Sequence, residues 1–247
     1  MRDWLTGRPI AHRGLHDAGS GIIENSPTAF RAAIAGGYGI ECDVQISADG
    51  EAMVHHDDAL GRLTEGTGRL DAMTADALQR VAFKATADRM LTLGGLCDLV
   101  AGKSLLLIEL KGHFAGDTRL AARTAAVLSG YPGPVAAMSF DPSLMAALRQ
   151  LAPRLALGVV GMRREPTMPA TARMSALRYL GHVLAARPQF LAYRVQDLTT
   201  APPLLARNVL RWPVLTWTVR TDADRARAAR HADQIIFEGF RPVPPAT

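Results

Sequence analysis

Two short apolar runs carry acidic side chains: Ile40-Glu41-Cys42-Asp43-Val44 and Ile108-Glu109-Leu110-Lys111. Side chains of an extended chain alternate between faces, so Glu41 and Asp43 share one face while Cys42 takes the other, and Glu109 shares a face with Lys111. Taken alone, a Glu and an Asp two residues apart suit a solvent-facing strand. In strands this apolar, however, three converging carboxylates would repel one another and be costly to bury without a neutralising cation. Oxygen-only ligands favour one hard divalent ion, Mg2+ or Ca2+, over zinc. Two further runs carry histidine, Ala11-His12-Arg13-Gly14 and His55-His56-Asp57-Asp58. Imidazole, with an ordinary pKa near 6.5, both accepts and donates protons at neutral pH. A lone histidine is more often packed than catalytic, and a His-His-Asp-Asp run alone fits a solvated loop. Their coincidence with Glu41, Asp43 and Glu109 points to a site.

The elements that must position these residues follow from periodicity. Eight apolar or β-branched runs, Pro9–His12, Gly39–Val44, Ser104–Lys111, Pro134–Ser139, Leu155–Val160, Gln189–Arg194, Val214–Val219 and Gln234–Phe237, alternate with Ala/Leu/Arg segments of helical period. Helical candidates include Ser26–Ala35, Thr118–Leu128 and Pro142–Leu151. Eight βα units predict an α/β fold, a TIM (β/α)8 barrel, whose chemistry belongs at the C-terminal ends of the strands. His12, Glu41, Asp43, Glu109 and Lys111 all fall there. A cap-like insertion at about 45–103 separates the second run from the third, with a short strand near Ala52–His55 and two helices. Pro242, Pro244 and Pro245 oppose helix after the eighth run, so the last outer helix is expected to be reduced or absent.

Composition bounds the remainder. The chain has 247 residues, of which 48% are hydrophobic and 21% charged, which excludes disorder and fits a single barrel-sized domain spanning 1–247. The net charge of +5 suits an anionic small-molecule ligand without forming a nucleic-acid footprint. The Arg-rich stretch from Arg220 to Arg230 interleaves Asp222 and Asp224 and fits a solvated helix face. Cys42 and Cys97 have no metal-type spacing and are expected to be reduced and buried. The first fifteen residues hold Arg2, Asp3, Arg8 and Arg13 without an apolar run, and no stretch suits a membrane span, so the expected location is cytoplasmic. Nothing in the sequence sets the oligomeric state.

The motifs resemble, in order and over essentially the whole chain, those of the glycerophosphodiester phosphodiesterases, a TIM-barrel family related to the phosphatidylinositol-specific phospholipases C. They are His12-Arg13-Gly14, Glu24-Asn25-Ser26, Glu41-x-Asp43-Val44, Asp49-Gly50, Val54-x-His56-Asp57, Leu60-x-Arg62-Leu63-Thr64, Glu109-x-Lys111, Ser139-Phe140 and Trp217-Thr218-Val219. The resemblance implies metal-dependent hydrolysis of a glycerophosphodiester to glycerol phosphate and an alcohol. It implies Glu41, Asp43 and Glu109 as metal ligands, with Glu24 as a further ligand or a residue supporting them. His12 and His56 become the acid/base pair, Arg13 and Lys111 bind phosphate oxygens, and Trp217 is a candidate substrate contact. The pattern selects His56 over His55, while His16 and His113 stand near the barrel mouth. Head-group preference is expected in the insertion, which the family uses as a cap. Two departures are Leu91-Thr92-Leu93, where relatives usually have Pro-Thr-Leu, and Glu238, where relatives commonly have an aspartate. The alternatives are a phospholipase D-like or cyclising reaction on lysophospholipid, and a barrel that binds phosphodiesters without catalysis.

Overall fold

A computed structural model describes residues 2–163 and 176–243. Its strands in chain order are β1 (Ile10–Ala11), β2 (Gly39–Ile46), β3 (Ala52–Val54), β4 (Leu106–Leu110), β5 (Val135–Ser139), β6 (Ala156–Gly161), β7 (Phe190–Arg194), β8 (Val214–Val219) and β9 (Gln234–Phe237). All but β3 run parallel, and β1 pairs with both β2 and β9, so eight strands close into a TIM barrel. Each of the eight coincides with an expected run. β3 folds back antiparallel on β2, pairing Val44 with Val54.

Strand alternation sorts the side chains into two layers. One set, Ile10, Leu105, Leu107, Ala136, Met138, Ala156, Val160, Phe190, Ala192, Leu215 and Ile236, fills the barrel interior together with Leu5 from helix α1 (Arg2–Thr6). Phe190 is fully buried, and a Cβ on Gly158 of the neighbouring strand would sit 2.2 Å from its ring, so glycine there makes the room for phenylalanine. The alternate set, including Ile40, Cys42, Val44, Leu106, Ile108 and Leu110, faces the outer helices. These are α2 (Pro27–Ala35), α4 (Leu93–Val100), α5 (Arg119–Leu128), α6 (Pro142–Leu151), α7 (Ala176–Ala186), α8 (Ala201–Asn208) and α9 (Asp222–His231), while α3 (Ala75–Arg80) lies in the insertion. Local chemistry sets their starts: Ser26 accepts from Ala29 N at 3.2 Å ahead of Pro27, Thr92 accepts from Gly95 N at 3.0 Å, and Thr221 forms a capping box with Asp224.

The stretch expected as one insertion separates into two parts. Leu60, Leu70, Leu78, Phe83 and Met90 form a small core of their own over Ile23 and Met53. Leu93, Leu96, Cys97 and Val100 of α4 instead join the main core, so α4 is a helix of the outer ring. No helix follows β9 among the described residues; Pro242 accepts a bond from the Tyr38 hydroxyl at 2.7 Å, and Pro244 and Pro245 lie outside the described residues. No described helix is long and apolar enough to cross a membrane.

Candidate active site

The inward positions that carry Leu105 and Leu107 continue to Glu109 and Lys111, and those of β2 run through Glu41 and Asp43 to Gln45. Asp43 pairs with Glu109 in register, and oxygen atoms of Glu41, Asp43 and Glu109 all lie within 4.8 Å of one another. All three residues are buried. Lys111 Nζ bridges the strands, 2.7 Å from Asp43 Oδ1 and 2.6 Å from Glu109 Oε1. The β1 turn supplies the second cation. Arg13 donates its backbone N–H to Glu41 Oε2 at 2.9 Å, and its guanidinium reaches Glu24 Oε1 at 2.7 Å and Asp43 Oδ2 at 3.2 Å. Arg13 and Gly14 have φ of 54° and 79°, and a Cβ on Gly14 would lie 2.9 Å from Ala29, so this turn requires glycine there. Asn25 donates to Asp43 Oδ2 at 2.9 Å.

Two cations do not neutralise this group, because Arg13 also serves Glu24. Burial pushes Glu41 well above the usual carboxylate range, reinforced by Asp43 and Glu109. Glu109 is also raised by burial, although Lys111 opposes the shift. Burial acts on Asp43 in the same direction but is outweighed by Lys111 and Arg13, which hold its carboxyl low. The three residues therefore favour one more positive charge, either a proton on Glu41 or a cation among the oxygens. The all-oxygen donor set fits Mg2+ or Ca2+.

The two histidines are each oriented by a carboxylate. His12 Nδ1 lies 2.8 Å from Glu238 Oε2, just past the end of β9, and Arg220 donates to both oxygens of Glu238 at 3.1 Å. Burial lowers the His12 pKa below its ordinary value, only partly offset by the bond to Glu238. The bond from His12, with Arg220 on both of its oxygens, holds Glu238 far below the usual carboxylate range. His56 Nδ1 lies 2.8 Å from Asp57 Oδ1. Asp57 also accepts from Arg62 at 2.5 Å, and these bonds overcome burial to set its pKa at about 2. Arg62 in turn reaches Glu24 at 2.7 Å, which joins the His56 loop to Arg13. Gln45 donates to the His56 carbonyl at 2.8 Å, fixing the loop against β2.

The barrel thus brings His12, Arg13, Glu41, Asp43, Glu109 and Lys111 together, with His56 near enough to act electrostatically on Asp43 and Glu109. His55 is only 2% exposed. Glu24 stands outside the carboxylate trio and bonds the two arginines. Trp217 meets Phe140 edge-on, with centroids 5.6 Å apart, at the top of the interior cluster. His113 is half exposed, 4.0 Å from Asp58. Sequence reasoning missed the roles of Asn25, Asp57, Arg62 and Arg220. The first three lie inside the quoted motifs, where their polar character was the available signal; Arg220 gave none.

An eight-stranded parallel barrel with an acidic, cation-seeking centre and two oriented histidines at its mouth defines a class of protein. Residues 12–237 match the glycerophosphoryl diester phosphodiesterase family, and the chain belongs to that family. It is 28% identical over 161 residues to the glycerophosphodiester phosphodiesterase of Caldanaerobacter subterraneus, covering 61% of this chain and 65% of that one. Against glycerophosphodiester phosphodiesterase 1 of Bos taurus it is 42% identical over 74 residues, covering 29% of this chain and 21% of the bovine protein. The chain therefore spans less than two thirds of the length of these curated relatives. Its fold matches that of an Oleispira antarctica phosphodiesterase, solved in complex with the product sn-glycerol-3-phosphate, with a TM-score of 0.76 at 19% identity over 94% of this chain and 92% of that one.

Proposed function

We propose that the protein hydrolyses glycerophosphodiesters to glycerol phosphate and an alcohol, with one divalent cation, Mg2+ or Ca2+, held by Glu41, Asp43 and Glu109. The observation that carries this reading is the pairing of a buried carboxylate trio with two carboxylate-oriented histidines at one barrel mouth. When bound, the cation supplies positive charge against the negative charge that builds on the phosphoryl oxygens. Arg13 and Lys111 hold the carboxylate oxygens and direct their remaining donors to the equatorial oxygens of the phosphate. His12 is kept neutral by burial, with Nδ1–H donated to Glu238, which leaves Nε2 to accept the proton of the attacking oxygen. His56, steadied by Asp57, then protonates the departing alkoxide. Glu24 supports the site by holding Arg13 and Arg62, and Trp217 bounds the substrate's glycerol. The small core over Ile23 and Met53 is the cap that sets head-group preference.

Phosphorus NMR of the purified protein with a panel of glycerophosphodiesters and added Mg2+ or Ca2+ tests the reading. Glycerol phosphate is the expected product. A cyclic phosphate from lysophospholipid would replace hydrolysis with the cyclising reaction, and absence of turnover with either metal would leave a binding barrel.

A further inference from the structure

On the β1 and β9 side of the mouth, His12, His16 and Glu238 each bring a donor atom within 4.8 Å of the other two. This cluster shares no residue with the carboxylate trio and has a different chemistry, two imidazoles and one carboxylate. His12 Nδ1 is 2.8 Å from Glu238 Oε2, and His16 Nε2 is 3.8 Å from the same oxygen. That second distance is too long for a hydrogen bond, and His16 Nε2 is a buried atom with no hydrogen-bond partner. It does suit two ligands of one ion: with metal–ligand distances of about 2.0–2.2 Å, the edge of a coordination tetrahedron is about 3.4 Å.

The backbone holds the donors in place. Gly14 N–H donates to the Glu41 carbonyl at 3.2 Å, Leu15 N–H to Ala29 at 3.0 Å, and Glu238 N–H to Val219 at 3.1 Å. A cleft of about 400 Å³, lined by His16, Asp17, Phe237, Glu238 and Arg241, opens beside them and gives an entry path and room for a fourth, water ligand. Arg220 approaches Glu238 from solvent, with its side chain 54% exposed, and donates to both oxygens, so an ion on Oε2 displaces the Nη2 bond while the Nε bond to Oε1 is kept. Imidazole-rich, three-ligand open sites select borderline ions, Zn2+ foremost, over Mg2+ or Ca2+.

We propose that His12, His16 and Glu238 form a second, inhibitory metal site for Zn2+. An ion there takes the ring of His12 and the carboxylate that orients it, and so withdraws the proton acceptor. The inhibition rests on the phosphodiesterase reading, whereas the binding does not.

The experiment titrates Zn2+ into Mg2+-saturated protein, read by calorimetry, by the ring 15N resonances of the histidines and by turnover. The expected result is one tight Zn2+ event that moves the His12 and His16 resonances together. It should survive Asp43→Asn and weaken at least about tenfold in His16→Asn and in Glu238→Gln, since loss of even a ligand's supporting partner costs that much. His16→Asn should keep its Mg2+-dependent turnover and resist Zn2+ inhibition by the same factor. Wild-type Zn2+ affinity in His16→Asn, or ring resonances that stay fixed, would overturn the site. Binding without inhibition of an active enzyme would overturn its inhibitory role. If no substrate is turned over, the calorimetric and NMR arms still decide the binding.

Discussion

At the closed end of the barrel the inward positions are Ile10, Leu105, Leu107, Ala156, Phe190 and Leu215, beneath Leu5. A few residues further along β1, β2, β4 and β9 the inward positions become His12, Asp43, Glu109, Lys111 and Glu238. The same alternation of side chains builds both ends, yet the lower one is apolar while the upper one concentrates ionisable groups that burial alone would neutralise. Burying a side chain such as Phe190 contributes about 1.5–3 kcal/mol. Within the carboxylate trio burial works against the ionised forms of Glu41 and Glu109, whereas Lys111 and Arg13 favour ionised Asp43. Stability is therefore drawn from the bottom of the barrel and used to hold a strained charge arrangement at the top.

The largest expected effect comes from breaking the lower end. Phe190→Ala leaves a cavity against Gly158 and should cost about 3–5 kcal/mol in denaturant unfolding, with kcat per folded molecule essentially unchanged. A loss of kcat as large as the loss of stability would show that the two ends are not separable.

The upper end should respond in the opposite way. His12→Gln should lower kcat by at least about a hundredfold with little change in melting temperature. His55→Gln serves as the contrast: its ring is buried, so the variant should lose stability and keep most of its turnover. A crippled kcat in His55→Gln with near-normal His56→Gln would reverse the assignment between the neighbours.

Glu238→Gln gives a smaller effect that sharpens the comparison. A glutamine still accepts from His12 Nδ1, but exchanging a charge-assisted bond for a neutral one loses about 1.4 kcal/mol, or tenfold in kcat. Glu238 raises the His12 pKa against the downward pull of burial, so its removal should shift the acid limb of the rate profile to lower pH. The stability consequence has a definite sign. Glu238 titrates below its ordinary 4.5 in the folded protein, so its contribution is present above that pH and lost as pH falls below it. Glu238→Gln should flatten that acid-side loss in unfolding curves measured from pH 7 downward. An acid limb that moves upward instead would contradict the coupling to His12.

Strand period and motif made the inward carboxylates legible in the sequence, because alternation is local: Glu41 and Asp43 share a face whatever the rest of the chain does. All eight barrel strands were legible for the same reason. The helix Leu93–Val100 was not separable from the cap, since an apolar face reads alike whether it covers a barrel or a small satellite core. The Arg220–Glu238 pair was hidden because it joins two strand ends that only the closed barrel brings together, whereas the Arg62–Asp57–His56 chain lies within one loop whose backbone path no periodicity reveals. Arg13 and Lys111, read as phosphate ligands, stand here in contact with the carboxylates, an engagement visible only once the strands are in register.

The most direct test of the account is calorimetric titration of Mg2+ and Ca2+ into the cation-free protein and into Asp43→Asn, which keeps the side chain's shape and removes one charge. The account requires one cation per wild-type chain, with binding weakened at least tenfold in the variant. Equal affinity in the two proteins would place the cation elsewhere and contradict the assignment of Glu41, Asp43 and Glu109.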